Sequence, residues 1–129
     1  MAKTKEVVKL TPVEEYRQAL AADPKSAEAH ANLGWGLYGD GQWEAAIQEF
    51  SEALSLDAGQ VDALYGLGLT RKAAGAKPEA AAAFEKAIPM FGILEDKSRS
   101  LMLTRLARGH INMLRTGHWA LSSSIDARR

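Results

Sequence analysis

The sequence predicts an all-α fold of about seven helices stacked as antiparallel pairs. Three observations carry this reading. First, the chain nearly repeats itself every 34 residues. Residues 27–60 laid over 61–94 bring Ala29 onto Ala63, Leu33 onto Leu67, Gly34 onto Gly68, Gly41 onto Gly75, Ala46 onto Ala80, Phe50 onto Phe84 and Ala53 onto Ala87. Second, the coinciding residues are small or apolar, as close helix–helix contacts require, while most charged positions drift. Third, apolar residues recur at helical spacing between Gly, Pro and Asp breakers. A unit of this size cannot bury its apolar face alone, so neighbouring copies must stack.

Each element has a local signal. Thr11-Pro12 reads as a helix start, with Thr11 as cap and Pro12 in the first turn. Val13, Tyr16, Ala19 and Leu20 then share one face, and Asp23-Pro24 stops the helix. A second helix is expected from Ser26 to Asp40, with Ser26 as cap and Gly41 as the turn. The third runs from Gln42 to Leu56 on a stripe of Ile47, Phe50 and Leu54, and Asp57-Ala58-Gly59 ends it. The pattern restarts with a fourth helix over 61–74, Gly75 as turn, and a fifth over 77–88. The alanine run 80–83 favours that helix, and Pro89 is expected to end it. Residues 89–97 break the rhythm. A sixth helix follows from Ser98 to Thr116, with Gly117 as the next turn, 42 residues after Gly75. The third repeat thus carries eight extra residues against a strict period of 34. A short seventh helix is expected over 118–126.

The implied organisation is a flexible lead-in over 1–10 and one helical domain over 11–129. That domain divides into a half repeat 11–26, repeats 27–60 and 61–94, and an irregular repeat 95–129. The 129 residues, 47% hydrophobic and 25% charged, are those of an ordinary globular domain. No stretch approaches the roughly 18 apolar residues of a membrane span, so a soluble chain is expected, with no membrane role. The absence of cysteine excludes disulfides, thiolate zinc sites and a cysteine nucleophile, and fits a cytoplasmic location. Net charge is zero but uneven: residues 1–94 hold 9 Lys/Arg against 13 Asp/Glu, and 95–129 hold 7 against 3. A basic end of this kind suits an acidic partner or head-to-tail contact between copies.

The repeating residues resemble the tetratricopeptide repeat. Repeat one carries Leu33-Gly34, Gly41, Trp43, Ala46, Phe50, Ala53 and Leu56-Asp57. Repeat two keeps Leu67-Gly68, Gly75, Ala80, Phe84 and Ala87, but has Lys77 where the family has an aromatic and Arg71 where an aromatic or Leu packs. In repeat three Gly109, Gly117 and Trp119 fit, while Ser122 and Asp126 depart. The resemblance covers residues 11–120 and implies a right-handed superhelix whose first helices line a concave side. Small residues at 34 and 68 let paired helices approach, and Phe50 and Phe84 fill the space between repeats.

In this family the concave side holds a peptide. The matching residues include Asn32, Trp35, Tyr38, Tyr65, Leu69, Lys72, Arg108 and Arg115, an aromatic floor with a cationic edge. Aromatic and arginine side chains dominate binding energy at interfaces. The expected function is non-catalytic protein–protein interaction, the groove taking a peptide or helix of a partner. The alternative is a homodimer or scaffold subunit associating through the irregular C-terminal repeat. One subgroup grips acidic chaperone tails with a clamp of Lys, Asn and Arg. Here Ala31, Trp35, Gly66 and Thr104 stand at those positions, and only Arg108 matches.

Catalysis and cofactors find no foothold. His110 and His118 have no Asp or Glu at ligand spacing, and a zinc site needs three or four converging ligands. No Gly-rich phosphate loop follows a strand. Ser122-Ser123-Ser124 has no neighbouring base. The zero net charge and the lack of aromatics among the arginines point away from nucleic acid. No metal or cofactor is expected.

Overall fold

The computed structural model describes residues 9–119. It contains α1 (Pro12–Ala22), α2 (Ala27–Gly39), α3 (Trp43–Leu56), α4 (Val61–Ala73), α5 (Lys77–Gly92) and α6 (Lys97–Thr116), and no strand among the described residues. The expected seventh helix falls mainly on residues outside that range; Gly117, His118 and Trp119 are not helical. Among the described residues no helix is long and apolar enough to cross a membrane.

Local chemistry sets the helix starts. Thr11 and Glu14 form a reciprocal capping box, the Thr11 hydroxyl accepting from the Glu14 N–H and the Glu14 carboxylate from the Thr11 N–H. Ser26 and Asp96 cap α2 and α6 through single side-chain oxygens. The turns within pairs follow the repeat down to single hydrogen bonds. The Gln42 N–H donates to Leu37 O across Gly41, and the Ala76 N–H to Arg71 O across Gly75. Gly41 and Gly75 have φ of 76° and 85°, a left-handed geometry that glycine adopts without strain.

The core repeats as the turns do. Phe50, Phe84, Ala46, Ala53, Ala80 and Ala87 are all fully buried. A Cβ on Gly34 would lie 2.8 Å from the Phe50 ring, and one on Gly68 would lie 2.6 Å from Phe84. Each phenylalanine therefore occupies space that only a glycine on its partner helix leaves free. Phe50 also spans to the next pair, where a Cβ on Gly66 would come within 2.4 Å of it. One ring thus holds α2, α3 and α4 together. The result is a solenoid of stacked helix pairs, α2 with α3 and α4 with α5, with α1 packed on α2 at one end and α6 on α5 at the other.

One boundary and one register differ from the sequence expectation. Pro89 does not end α5; the helix runs through it to Gly92. Proline removes the N–H that would bond Glu85 O, a local cost. Continuing the helix places Phe91 in a fully buried position among Leu103, Ala107 and Ile111. Burying a phenylalanine is worth about 2–3 kcal/mol, enough to carry one more turn past the proline. The second difference is register. Phe50 meets Gly66, but Phe84 stacks on His110 with ring centroids 4.7 Å apart. His110 lies 44 positions after Gly66, so α6 is displaced by ten residues rather than the expected eight.

Candidate functional site

The first helices of successive pairs, α2 and α4, touch one another, and α4 touches α6. Residues 34 apart on α2 and α4 share a face, which puts Trp35 beside Leu69 and Tyr38 beside Lys72 in the repeat. All four are half-buried, as is Tyr65. Trp35 sits edge-on to Tyr38 at 5.6 Å and to Phe50 at 5.4 Å, and Trp43 closes on Tyr38 at 5.4 Å. Such edge contacts suit ring quadrupoles and fix the aromatic rings in place. Asn32 lies at the same face with an amide that has no hydrogen-bond partner among the described residues.

On α4 and α6 the face becomes polar. The His110 imidazole is engaged at both nitrogens, Nε2 with the Tyr65 hydroxyl at 3.0 Å and Nδ1 with Lys72 Nζ at 3.1 Å. A lysine ammonium can only donate, so Nδ1 accepts and Nε2 carries the proton given to Tyr65. Burial, reinforced by the Lys72 charge, pulls the His110 pKa down to about 4, and the ring is neutral at pH 7. Burial likewise pushes the Tyr65 phenol up. Trp119 lies edge-on over His110 at 4.7 Å, with Lys72 Nζ 5.9 Å from its ring. The segment after Gly117 thus turns back onto this face.

The sequence-predicted residues do not all converge. Asn32, Trp35, Tyr38, Tyr65, Leu69 and Lys72 share the α2–α4 face. Arg108 and Arg115 do not join them. They lie seven positions apart on one side of α6, and Arg115 pairs with Glu85 on α5. The side of α6 that meets α4 presents His110 and Arg99, the latter 3.2 Å from Asp62. The ten-residue register shift causes this exchange, since it turns His110 to the place that a 42-residue spacing assigns to Arg108. His110 was legible only as a histidine near a turn; no signal in the chain marked it as the hub of the cluster.

Buried His110 and half-buried His30 make stability depend on pH, with opposite signs. For His110 the folded pKa of about 4 lies below the ordinary 6.5, so the unfolded chain binds more protons between those values. Its contribution is complete above 6.5 and is lost as pH falls towards 4. For His30, burial alone would lower the pKa, but bonds to the Glu49 carboxylate at 2.7 Å and to Pro24 O at 2.9 Å outweigh it and raise it. Its contribution is complete below 6.5 and is lost as pH rises through the folded value. Circular-dichroism melts are therefore expected to show a falling Tm from pH 6.5 to 4. His110→Phe, which keeps the ring stack, should flatten that slope, and His30→Gln should leave it in place.

Residues 37–75 match the family model described as TPR repeat. That window joins the turn at Gly41, all of α3 and α4, and the turn at Gly75, and it contains the Phe50–Gly66 contact between helix pairs. This stretch is similar to a tetratricopeptide repeat. No curated protein sequence matches it. Among solved structures it is similar to the second TPR domain of human RPAP3, determined by NMR in complex with the HSP70 peptide SGPTIEEVD. The two share 22% identity and a TM-score of 0.60 over 74% of this chain and 77% of that one. At that identity the likeness speaks for the fold alone. No group of three or more potential metal ligands occurs among the described residues.

Proposed function

We propose that this chain is a non-catalytic interaction module whose α2–α4 face takes a peptide or helix of a partner protein. The carrying observation is the row of Trp35, Tyr38, Tyr65, Leu69 and Lys72, half-buried on two adjoining helices and flanked by the unbonded amide of Asn32. Rings fixed by edge contacts present area without further ordering cost, which is what interface anchors supply. An amide with free donors and acceptor suits a peptide backbone. The RPAP3 domain, with a stack of similar fold, was solved with a peptide bound. The ligand class here differs from an acidic chaperone tail, because Ala31 and Gly66 are buried and offer no clamp.

The test is selection of peptides from a random phage-displayed library on the full chain. Lys72→Glu is expected to lower the affinity of selected peptides about tenfold or more, as loss or reversal of a central contact does. Arg108→Glu should leave it unchanged. Equal affinity for Lys72→Glu and the parent would move the site elsewhere. Trp35 is a poorer probe, since its ring packs on Phe50 and its loss also weakens the core.

A second reading has its own observation. Ile93, Leu101 and Met102 are 73%, 61% and 51% exposed around the start of α6. Clustered aliphatic surface of this kind favours association, which suits a homodimer or scaffold subunit joined through the C-terminal repeat. Light scattering over a dilution series decides it: a mass that stays monomeric rejects the reading.

A further inference from the structure

A second surface lies on another side of α4. Leu64, Leu67 and Arg71 of α4 form the floor of an open trough of about 480 Å³ between α3 and α5. Leu54 lines the α3 wall, Ala83 and Met90 the α5 wall. The turn after α3 seats against one end, where a Cβ on Gly59 would lie 3.4 Å from Met90. Trp35, Tyr38 and Lys72 are not among its lining, and residues 64, 67 and 71 fall on a different helical face from 65, 69 and 72.

The internal repeat supplies a control for what this place normally holds. Thirty-four residues earlier, Leu64 corresponds to His30, Ala83 to Glu49, Lys86 to Glu52 and Arg71 to Leu37. In that earlier pair the bonded His30 and Glu49 stand at these positions, with the Pro24 carbonyl on the imidazole, and they line a hollow whose wall is acidic. Leu37 is 1% exposed, a core residue. In the later pair Leu64 and Ala83 take the places of His30 and Glu49, and the trough is apolar. The buried leucine becomes half-buried Arg71, and the glutamate becomes Lys86 at the rim. Neither cation makes an ion pair among the described residues. An apolar trough with unneutralised cations complements aliphatic side chains accompanied by carboxylates.

We propose that the trough between α3 and α5 is a second docking surface, taking a short amphipathic segment of a partner protein whose leucine-type side chains are flanked by Asp or Glu. A second copy of the chain fits it poorly: the acidic wall of the earlier pair carries Glu49 already bonded to His30. The inference stands independently of the α2–α4 face.

The test uses the full chain and two designed helical peptides, one with leucines flanked by glutamates and one with the glutamates replaced by lysines. Isotope-edited NMR is expected to show the glutamate peptide binding, with shifts at Leu64, Leu67, Ala83 and Met90 and none at the Trp35 indole. The lysine peptide should bind at least about tenfold more weakly. Arg71→Glu/Lys86→Glu should reverse that preference. Lys86→Glu alone, at an exposed site, should weaken the glutamate peptide without disturbing the fold. Ala82→Trp, at an exposed lining position, should fill the trough and remove binding of both peptides. Binding of neither peptide by the parent, unchanged affinity in Lys86→Glu, or shifts confined to the Trp35–Lys72 face would overturn the proposal. So would binding of sodium dodecanoate without the glutamate peptide, which would make the trough a lipid site. Concentration-dependent dimerisation abolished by Lys86→Glu would also overturn it, by assigning the trough to a second copy.

Discussion

Replacing Phe50 by alanine is expected to lower stability by about 3–5 kcal/mol, the usual cost of deleting a buried phenylalanine. The ring is fully buried and lies against two glycines, Gly34 in its own helix pair and Gly66 in the next. Glycine has no side chain with which to refill the space, so the cavity cannot collapse locally. Trp35, edge-on to the same ring, loses its support on the α2–α4 face. In a stacked array, stability is the sum of unit and interface contributions. Phe50 contributes to both, so its loss should lower Tm and also broaden the transition as the two ends of the stack uncouple. Chemical denaturation read by circular dichroism and by tryptophan fluorescence checks this. A loss below about 1 kcal/mol with coincident transitions would contradict the assignment of Phe50 as the joint between pairs.

The second large effect comes from adding one methyl group. Gly66→Ala puts a Cβ 2.4 Å from the Phe50 ring. Alanine in mid-helix gains about 1 kcal/mol over glycine. Here overpacking reverses that gain, because the ring is backed by Gly34 and cannot retreat. A net loss of about 1–3 kcal/mol is expected. Gly39→Ala is the control. Its Cβ meets nothing within 4 Å at the end of α2, so it should be neutral or slightly stabilising. Paired denaturant melts give the comparison, and equal behaviour of the two substitutions would remove the close-packing argument.

The contacts that could be read in the sequence were those fixed by local chemistry repeated twice. Gly34 with Phe50, and Gly68 with Phe84, recur at one spacing, so each copy vouches for the other. Gly41 and Gly75 announce left-handed turns in any context. Thr11-Pro12 states its own helix start. What escaped was set by non-local competition. Pro89 looks like a stop because its cost is local, whereas the reward, Phe91 buried against Leu103 and Ala107, comes from a helix that follows in the chain. The same applies to the site. Trp35, Tyr38, Tyr65 and Lys72 lie within the two matched copies, and their shared face follows from the period. Arg108 and Arg115 lie beyond it, where the pairing of α5 with α6 sets the register. No single-chain spacing encodes that ten-residue shift, and it brings His110 rather than Arg108 to Tyr65.

The α2–α4 face is the proposed seat of a partner polypeptide. The chain has three tryptophans, and Trp35 and Trp119 lie on the two sides of that face while Trp43 closes on Tyr38. Their indole N–H signals report on it directly. Titration of the labelled full chain with a library-selected peptide should move the Trp35 and Trp119 indoles together with the amides of Asn32, Tyr38 and Lys72. Saturable peptide binding that leaves all of these signals in place would contradict the claim.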